Sequence, residues 1–169
     1  MAIGSSAMCG TFKREILAGI HFWTAHTRTG SSAISADTFK IAMFTNSASI
    51  DADTTGYTTS NEVSGTGYSA GGAALASVTL GLADNSSSVP TAFLDFADTT
   101  FSSSTISSAR GALIYNSTLS TAGTGSTTNH AADPAVAVIN FGGDKSSSSG
   151  DFTIQYPAND ANNAIIRIA

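Results

Sequence analysis

Asp51-Ala-Asp53-Thr-Thr55-Gly56, followed by Glu62, places oxygen ligands at the first, third and twelfth positions of a calcium-binding EF-hand loop and a glycine at the sixth. Thr55 stands where a further acidic or amide ligand is usual. An EF-hand also needs a helix on each side. The preceding FKIAMFTNSASI reads as a strand, and the following VSGTGYSAGG carries no helical pattern. The residues are therefore expected to form a turn-rich loop, with a non-EF calcium site as the lesser reading, and no metal ligand is assigned.

Other candidate chemistry meets similar objections. Gly65-Thr-Gly67-Tyr-Ser-Ala70 has the spacing of a dinucleotide fingerprint, yet that motif works only where a helix N-terminus follows to hold the pyrophosphate. Here the glycines are expected to permit tight bends around Tyr68, and no cofactor is assigned. His21, His26 and His130 lie far from any serine in a nucleophile setting, and Cys9 falls in a segment expected to be mobile. Asp95 and Asp98 could be drawn as a glycosidase pair, but Asp at the end of a strand more commonly binds nearby backbone N–H groups. No catalytic residue is assigned, and the chain is not expected to be an enzyme.

The elements that position these residues are mostly short apolar runs separated by Ser, Thr, Gly, Asn and Asp: TFKIAMFT, AALASVTL, TAFLDFA, RGALIYN, AVAVINF, DFTIQY and AIIRIA. That is an all-β pattern. In the first run Phe39, Ile41 and Met43 alternate with Lys40 and Ala42, which gives one buried face. Asn46 to Gly72 is too long for a hairpin and reads as a crossing between sheets, with Ser117 to Asp133 a second polar loop. VAVINF and FTIQY are expected to form a hairpin whose tip is GGDKSSSSGD. Pro157 then ends the second strand. The whole suggests an antiparallel β-sandwich of jelly-roll type.

Ahead of the strands, Phe12, Ile16, Leu17 and Ile20 recur at helical spacing, so a short helix is expected over about residues 11 to 20 with Thr11 as cap. A polar linker from Thr24 to Asp37 follows. The expected organisation is an N-terminal arm over 1–37 and a β-sandwich domain over 38–169.

Composition bounds the function. The 169 residues suit a single core. Only 11% are charged, while Ser and Thr number 48, so the surface must be hydroxyl-rich and weakly self-repelling, which favours close packing of several copies. A net charge of -5 with seven scattered basic residues, of which only Lys13 and Arg14 adjoin, argues against a nucleic-acid partner. No apolar run is long enough to span a membrane as a helix. Cys9 is the only cysteine, and the N-terminal residues lack a secretory pattern, so folding in a reducing cytosol is expected and the sequons at Asn85 and Asn116 read as chance matches.

FKREILAGIHFW, TFKIAMFT, DADTTGYTTSNEVSGTGYSAGGAAL, LDFADTTF, ARGALIYN, AVAVINFGGDK, GDFTIQYPA and the closing IIRI together cover nearly the whole chain. In these segments the sequence resembles a family of small β-rich virion proteins of tailed bacteriophages. NEVSGTGYSAGG and ARGALIYN are the most specific of them. The linker around His26 to Ala36 is longer than that family leads one to expect, and Ser117 to Asp133 reads as an insertion. The resemblance implies a structural component of the particle, a decoration or cement protein on the capsid exterior, and it carries no catalytic residues.

From this follow the expected partners, the major capsid protein and a second and third copy in a homotrimer. Expected contact residues are Phe12, Ile16, Ile20, Phe22 and Trp23 in the N-terminal segment and the long Asn46 to Gly72 loop, with Tyr57 and Tyr68. The alternative is a head-fibre or tail adhesion module that binds host glycan through Tyr57, Tyr68 and Trp23.

Overall fold

Apolar residues at alternate positions, broken by glycine and hydroxyl residues, can bury a face only by pairing side by side. The computed structural model, which describes residues 3–27, 32–124 and 129–169, shows this outcome: strand makes up 45% and helix 5%, in antiparallel sheets. In chain order the elements are β1 (Ala7–Met8), α1 (Gly10–Leu17), β2 (Phe39–Phe44), β3 (Gly65–Thr66), β4 (Ala73–Ala74), β5 (Thr79–Asp84), β6 (Pro90–Asp95), β7 (Thr99–Asn116), β8 (Ala135–Ile154) and β9 (Ile166–Ile168). One sheet has the order β1-β8-β7-β2-β4, with β3 also on β7, and the other the order β5-β6-β9. Both sheets are open.

The chain divides into two compact units, Met1–Ala74 with Phe101–Phe152, and Leu75–Thr100 with Thr153–Ala169. The division does not fall at residue 37, because the N-terminal segment is built into the first unit. Ala7 and Met8 pair with Val138 and Ala137, and Asn140 reaches the carbonyls of Ile3 and Gly4 through its side-chain amide. Cys9, expected in a mobile segment, is fully buried.

The helix is shorter than its pattern and turns a different face inward. Phe12 and Glu15 are its buried residues, while Leu17 is 90% exposed. The helix ends because Gly19 adopts a φ of 66°, which lets Gly19 N–H bond Ile16 O and Ile20 N–H bond Glu15 O, a Schellman closure that takes Ile20 out of the helix. Cys9, with no side-chain cap, precedes the first turn in place of the expected Thr11. Apolar spacing misplaced the inner face because a glutamate with a buried partner occupies it.

The long strands overturn two further expectations. GGDKSSSSGD is not a hairpin tip; it lies inside β8, which runs unbroken from Ala135 to Ile154 beside β7. Its hydroxyls knit the pair: Ser147 Oγ lies 2.7 Å from Ser104 Oγ and accepts Ile106 N–H, and Thr100 bonds Thr153. Asn116 sits by Pro134 and Gly111 by Ile139, whereas Ser108 meets Ser146. The segment Ile139–Ser146 is thus longer than the part of β7 it passes, and Gly142, at φ 74°, accommodates the surplus as a bulge would. Likewise, Asn46 to Gly72 does not cross between sheets. Its flanking strands β2 and β4 pair with each other, Ile41 opposite Ala73, so the segment is one long excursion of a hairpin.

AALASVTL is two strands rather than one, since Ser77 takes a φ of 53° between β4 and β5 and the chain passes to the other sheet. The expected linker from Thr24 to Asp37 and loop from Ser117 to Asp133 lie partly outside the described residues. No helix among the described residues is long and apolar enough to cross a membrane.

In the first unit β2 is buried on both faces. Phe39, Ile41, Met43 and Phe44 are each at most 2% exposed, opposite Asn116, Ile114, Ala112 and Gly111 of β7. In the second unit Leu94, Phe96, Ala161, Ala164 and Ile166 are buried, and the Phe93 ring lies over its cross-strand partner Gly81.

Candidate functional site

The chain has only two glutamates, and each is the hub of a polar network in the first unit. Glu62 follows β2 and bridges back to Phe44. Its Oε2 accepts the Tyr57 hydroxyl at 2.6 Å, and its Oε1 accepts the Tyr68 hydroxyl at 2.6 Å and Gly71 N–H at 2.8 Å. The Tyr68 oxygen in turn accepts Met43 N–H, and Tyr115 donates to Gly71 O. Tyr57 stacks on Tyr115 with ring centroids 4.5 Å apart. Short O–H···O⁻ bonds of this kind are charge-assisted, so the carboxylate fixes the loop to the sheet.

The glycines of the same segment permit this approach. Gly72 has a φ of 67°, and a Cβ there would stand 1.8 Å from Ile41 O. Burial, and then the bond to Glu62, pushes the Tyr57 and Tyr68 hydroxyls well above the ordinary phenol range, and burial pushes Tyr115 up to about 12. They act as neutral donors.

Glu15 anchors the second network. Its Oε2 lies 2.9 Å from His21 Nε2, and Arg14 stands 3.6 Å from Oε1 at the surface side. His21 Nδ1 is 3.1 Å from Asn116 Nδ2, which also donates to Asp37 Oδ2 at 2.7 Å, while Asn116 Oδ1 accepts Thr118 N–H. Phe22 N–H completes the chain by donating to Asp37 Oδ2. The imidazole and Glu15 side chains are 0% and 1% exposed. Around the imidazole stand Phe12 and Phe39, with Trp23 stacked on Phe39 at a centroid distance of 3.6 Å. Burial lowers the His21 pKa against the opposing pull of Glu15. A Glu-His-Asn-Asp chain has the residue types of a proton relay, but no substrate reaches an imidazole with no exposed surface.

A third feature is apolar and exposed. On the three-stranded sheet Leu82, Ala92 and Ile168 are register neighbours across β5, β6 and β9. Leu82 is 74% exposed, Ile168 48% and Leu80 51%. β5 is also a sheet edge.

The residues expected at contacts are distributed as follows. Phe12 is fully buried, and Ile16, Ile20, Phe22 and Trp23 are half-buried. Phe12 and Trp23 come together around His21 and Phe39, and Phe22 packs on His26. Tyr57 and Tyr68 come together through Glu62, and Tyr68 packs on Phe101.

The EF-hand spacing is broken apart. Asp51 Oδ1 accepts Asp53 N–H in a local turn, while Glu62 faces the tyrosines. Among the described residues no group of three or more His, Cys, Asp or Glu side chains gathers as metal ligands do. Asp95 Oδ1 accepts Phe96 N–H, and Asp98 accepts Tyr156 N–H. Cys9 is inert in character, because burial raises its thiol to about 12.

Sequence reading missed Glu15, Asp37, Asn116 and Tyr115 as network members and Leu80, Leu82 and Ile168 as surface. A signal existed for Glu15, a lone carboxylate three residues from Phe12 on the apolar side of a helix. None existed for Asn116, which lies 95 residues from its imidazole partner. No protein-family model, no curated protein and no solved structure matches the chain.

Proposed function

We propose that the chain is a structural protein of a tailed-bacteriophage particle, a capsid decoration or cement protein that sits on the head exterior as a homotrimer and binds the major capsid protein. A jelly-roll arrangement of its strands belongs to the same proposal. The observation that carries it is the pairing of a sparsely charged chain with an exposed apolar rung, Leu82, Ala92 and Ile168, beside Leu80 on an open sheet edge. Such surface suits permanent contact with other protein.

The residue types that could do acid-base chemistry support a non-catalytic role, since His21, Glu15 and Glu62 are all engaged by structural partners. The glycan-adhesion alternative draws no support from Tyr57 and Tyr68, whose hydroxyls are bound to Glu62. The contact element is better sought on the three-stranded sheet than in an N-terminal arm, because Phe12 lies in the core and offers no surface to a partner.

A cement binds only the mature lattice and stabilises it by mass action. The test is cosedimentation of purified protein with expanded, undecorated heads of the phage that encodes it. Wild type should bind, and Leu82→Asp should bind at least about tenfold more weakly, as expected for one central interface residue. Location of the protein on the tail, or retention on a glycan array, would overturn the reading.

A further inference from the structure

Hydrogen-bond roles around His21 admit one arrangement. Asn116 Oδ1 accepts Thr118 N–H, so its amide cannot be reversed, and its Nδ2 presents hydrogens to Asp37 Oδ2 and to His21 Nδ1. Nδ1 must therefore be an unprotonated acceptor, and Nε2 carries the hydrogen donated to Glu15 Oε2. A second proton has only Nδ1 to occupy, and there it would confront the Asn116 N–H. The network fits neutral histidine alone.

What this network holds together is specific. Glu15 lies on α1, His21 and Phe22 follow the helix, Asp37 precedes β2, and Asn116 ends β7. These are the polar ties between the N-terminal segment and the sheet, and the rings of Phe12, Trp23 and Phe39 pack around them. The remaining ties of residues 3–10 do not titrate: backbone bonds such as Gly4 N–H to Ile50 O, the Asn140 side-chain amide to Ile3 O and Gly4 O, and Asn140 N–H to Ser6 Oγ.

We propose that His21 is an acid-sensitive latch, whose protonation at Nδ1 releases the segment from Ile3 to Trp23 while β2, β7 and β8 stay paired. The charged and titratable groups facing the imidazole are Glu15 from α1, Asp37 from the segment before β2 and His130 from the segment before β8, with Arg14 beyond Glu15. Glu15 and Asp37 favour a charged imidazole. Burial and His130 oppose it, and the net shift is downward from 6.5.

The sign follows. A histidine with a lowered folded pKa is protonated more readily once released, so protection of the segment is complete above pH 6.5 and declines as pH falls below it. Each unit of pH below the released value favours opening about tenfold more until the folded value is reached.

Amide hydrogen exchange of the full chain, followed by mass spectrometry from about pH 7.5 to about pH 4.5 and corrected for intrinsic rates, tests this. Peptides within Ile3–Trp23 should lose protection by at least about tenfold at the acid end while peptides of β2 and β7 keep theirs. Imidazole nitrogen resonances of His21 should show the Nε2–H tautomer at neutral pH. The double substitution Glu15→Leu with His21→Phe, which removes the imidazole together with its buried carboxylate partner, should abolish the acid response. Unchanged protection of the segment, loss in step with β2 and β7, an Nδ1–H tautomer, or an equal acid response in a folded double variant would each overturn the latch. Should the double variant not fold, the wild-type exchange and resonance measurements decide the matter by themselves.

Discussion

The two units handle buried and exposed groups in opposite ways. The larger unit buries Glu15 and half-buries Glu62, gives them tyrosine, histidine and backbone partners, and covers both faces of β2. The smaller unit satisfies its surface loop locally, with Asp160 accepting Asn162 and Asn163 N–H, and leaves Leu80, Leu82 and Ile168 in water. Charge is buried where it can be paired, and apart from Leu17 on α1 the exposed large apolar side chains lie on the smaller unit, where, on the proposed reading, another protein covers them. The larger unit therefore carries the fold's specificity, and the smaller presents the candidate contact surface.

The sharpest way to break this contrast is to remove the buried charge. Glu15→Ala should destabilise the protein by about 1 to 3 kcal/mol, because the neutral His21 imidazole keeps its Nε2 hydrogen in the interior but loses the acceptor for it. A urea midpoint shift reports it. A loss below about 1 kcal/mol would mean that the network contributes no more than a surface pair.

An intermediate effect is expected in alkali. All four tyrosines have raised pKa values, Tyr115 and Tyr156 to about 12, each chiefly through burial. A raised folded pKa means stability is intact below the released value of 10.0 and declines as pH rises through and above it. Tyrosinate absorbance should stay low in the native protein slightly above pH 10 and then rise together with unfolding, in contrast to the smooth titration of free tyrosine. Independent titration of one tyrosine at its free value would show that its burial is loose.

The smallest effect on stability belongs to the smaller unit. Leu82→Asp should change the unfolding free energy of the isolated chain by no more than about 0.5 kcal/mol, since the side chain is 74% exposed, even where, on the proposed reading, it weakens binding to heads. A large destabilisation would make Leu82 part of the core and remove it as a contact residue.

Sequence pattern revealed the class of the fold because strands announce themselves locally. TFKIAMFT holds β2, although its alternation predicted one buried face and both are buried; TAFLDFA overlaps β6, and RGALIYN falls within β7. The pattern failed where a long-range partner overrode local preference. The serine run of GGDKSSSSGD looks like a loop until β7 supplies Ser104, Thr105 and Ser108 opposite it, at which point its hydroxyls bond across the ladder. The role of Glu62 was unreadable for the same reason. Glu62 resembled a calcium ligand because spacing along the chain says nothing about the tyrosines that fold back to it.

The pairing of Ala7 with Val138 also bears on how the molecule is made. Chains emerge from the ribosome at about 5 to 20 residues per second, so β1 waits on the order of ten seconds for its partner. The imidazole of His21 waits for Asn116. During that interval Phe12, Trp23 and Phe39 are nascent apolar groups with their sheet still unmade, and pairings this distant in sequence belong to slow-folding topologies. Synthesis rate and chaperone supply, rather than the stability of the finished fold, are expected to govern how much of this protein a host cell yields.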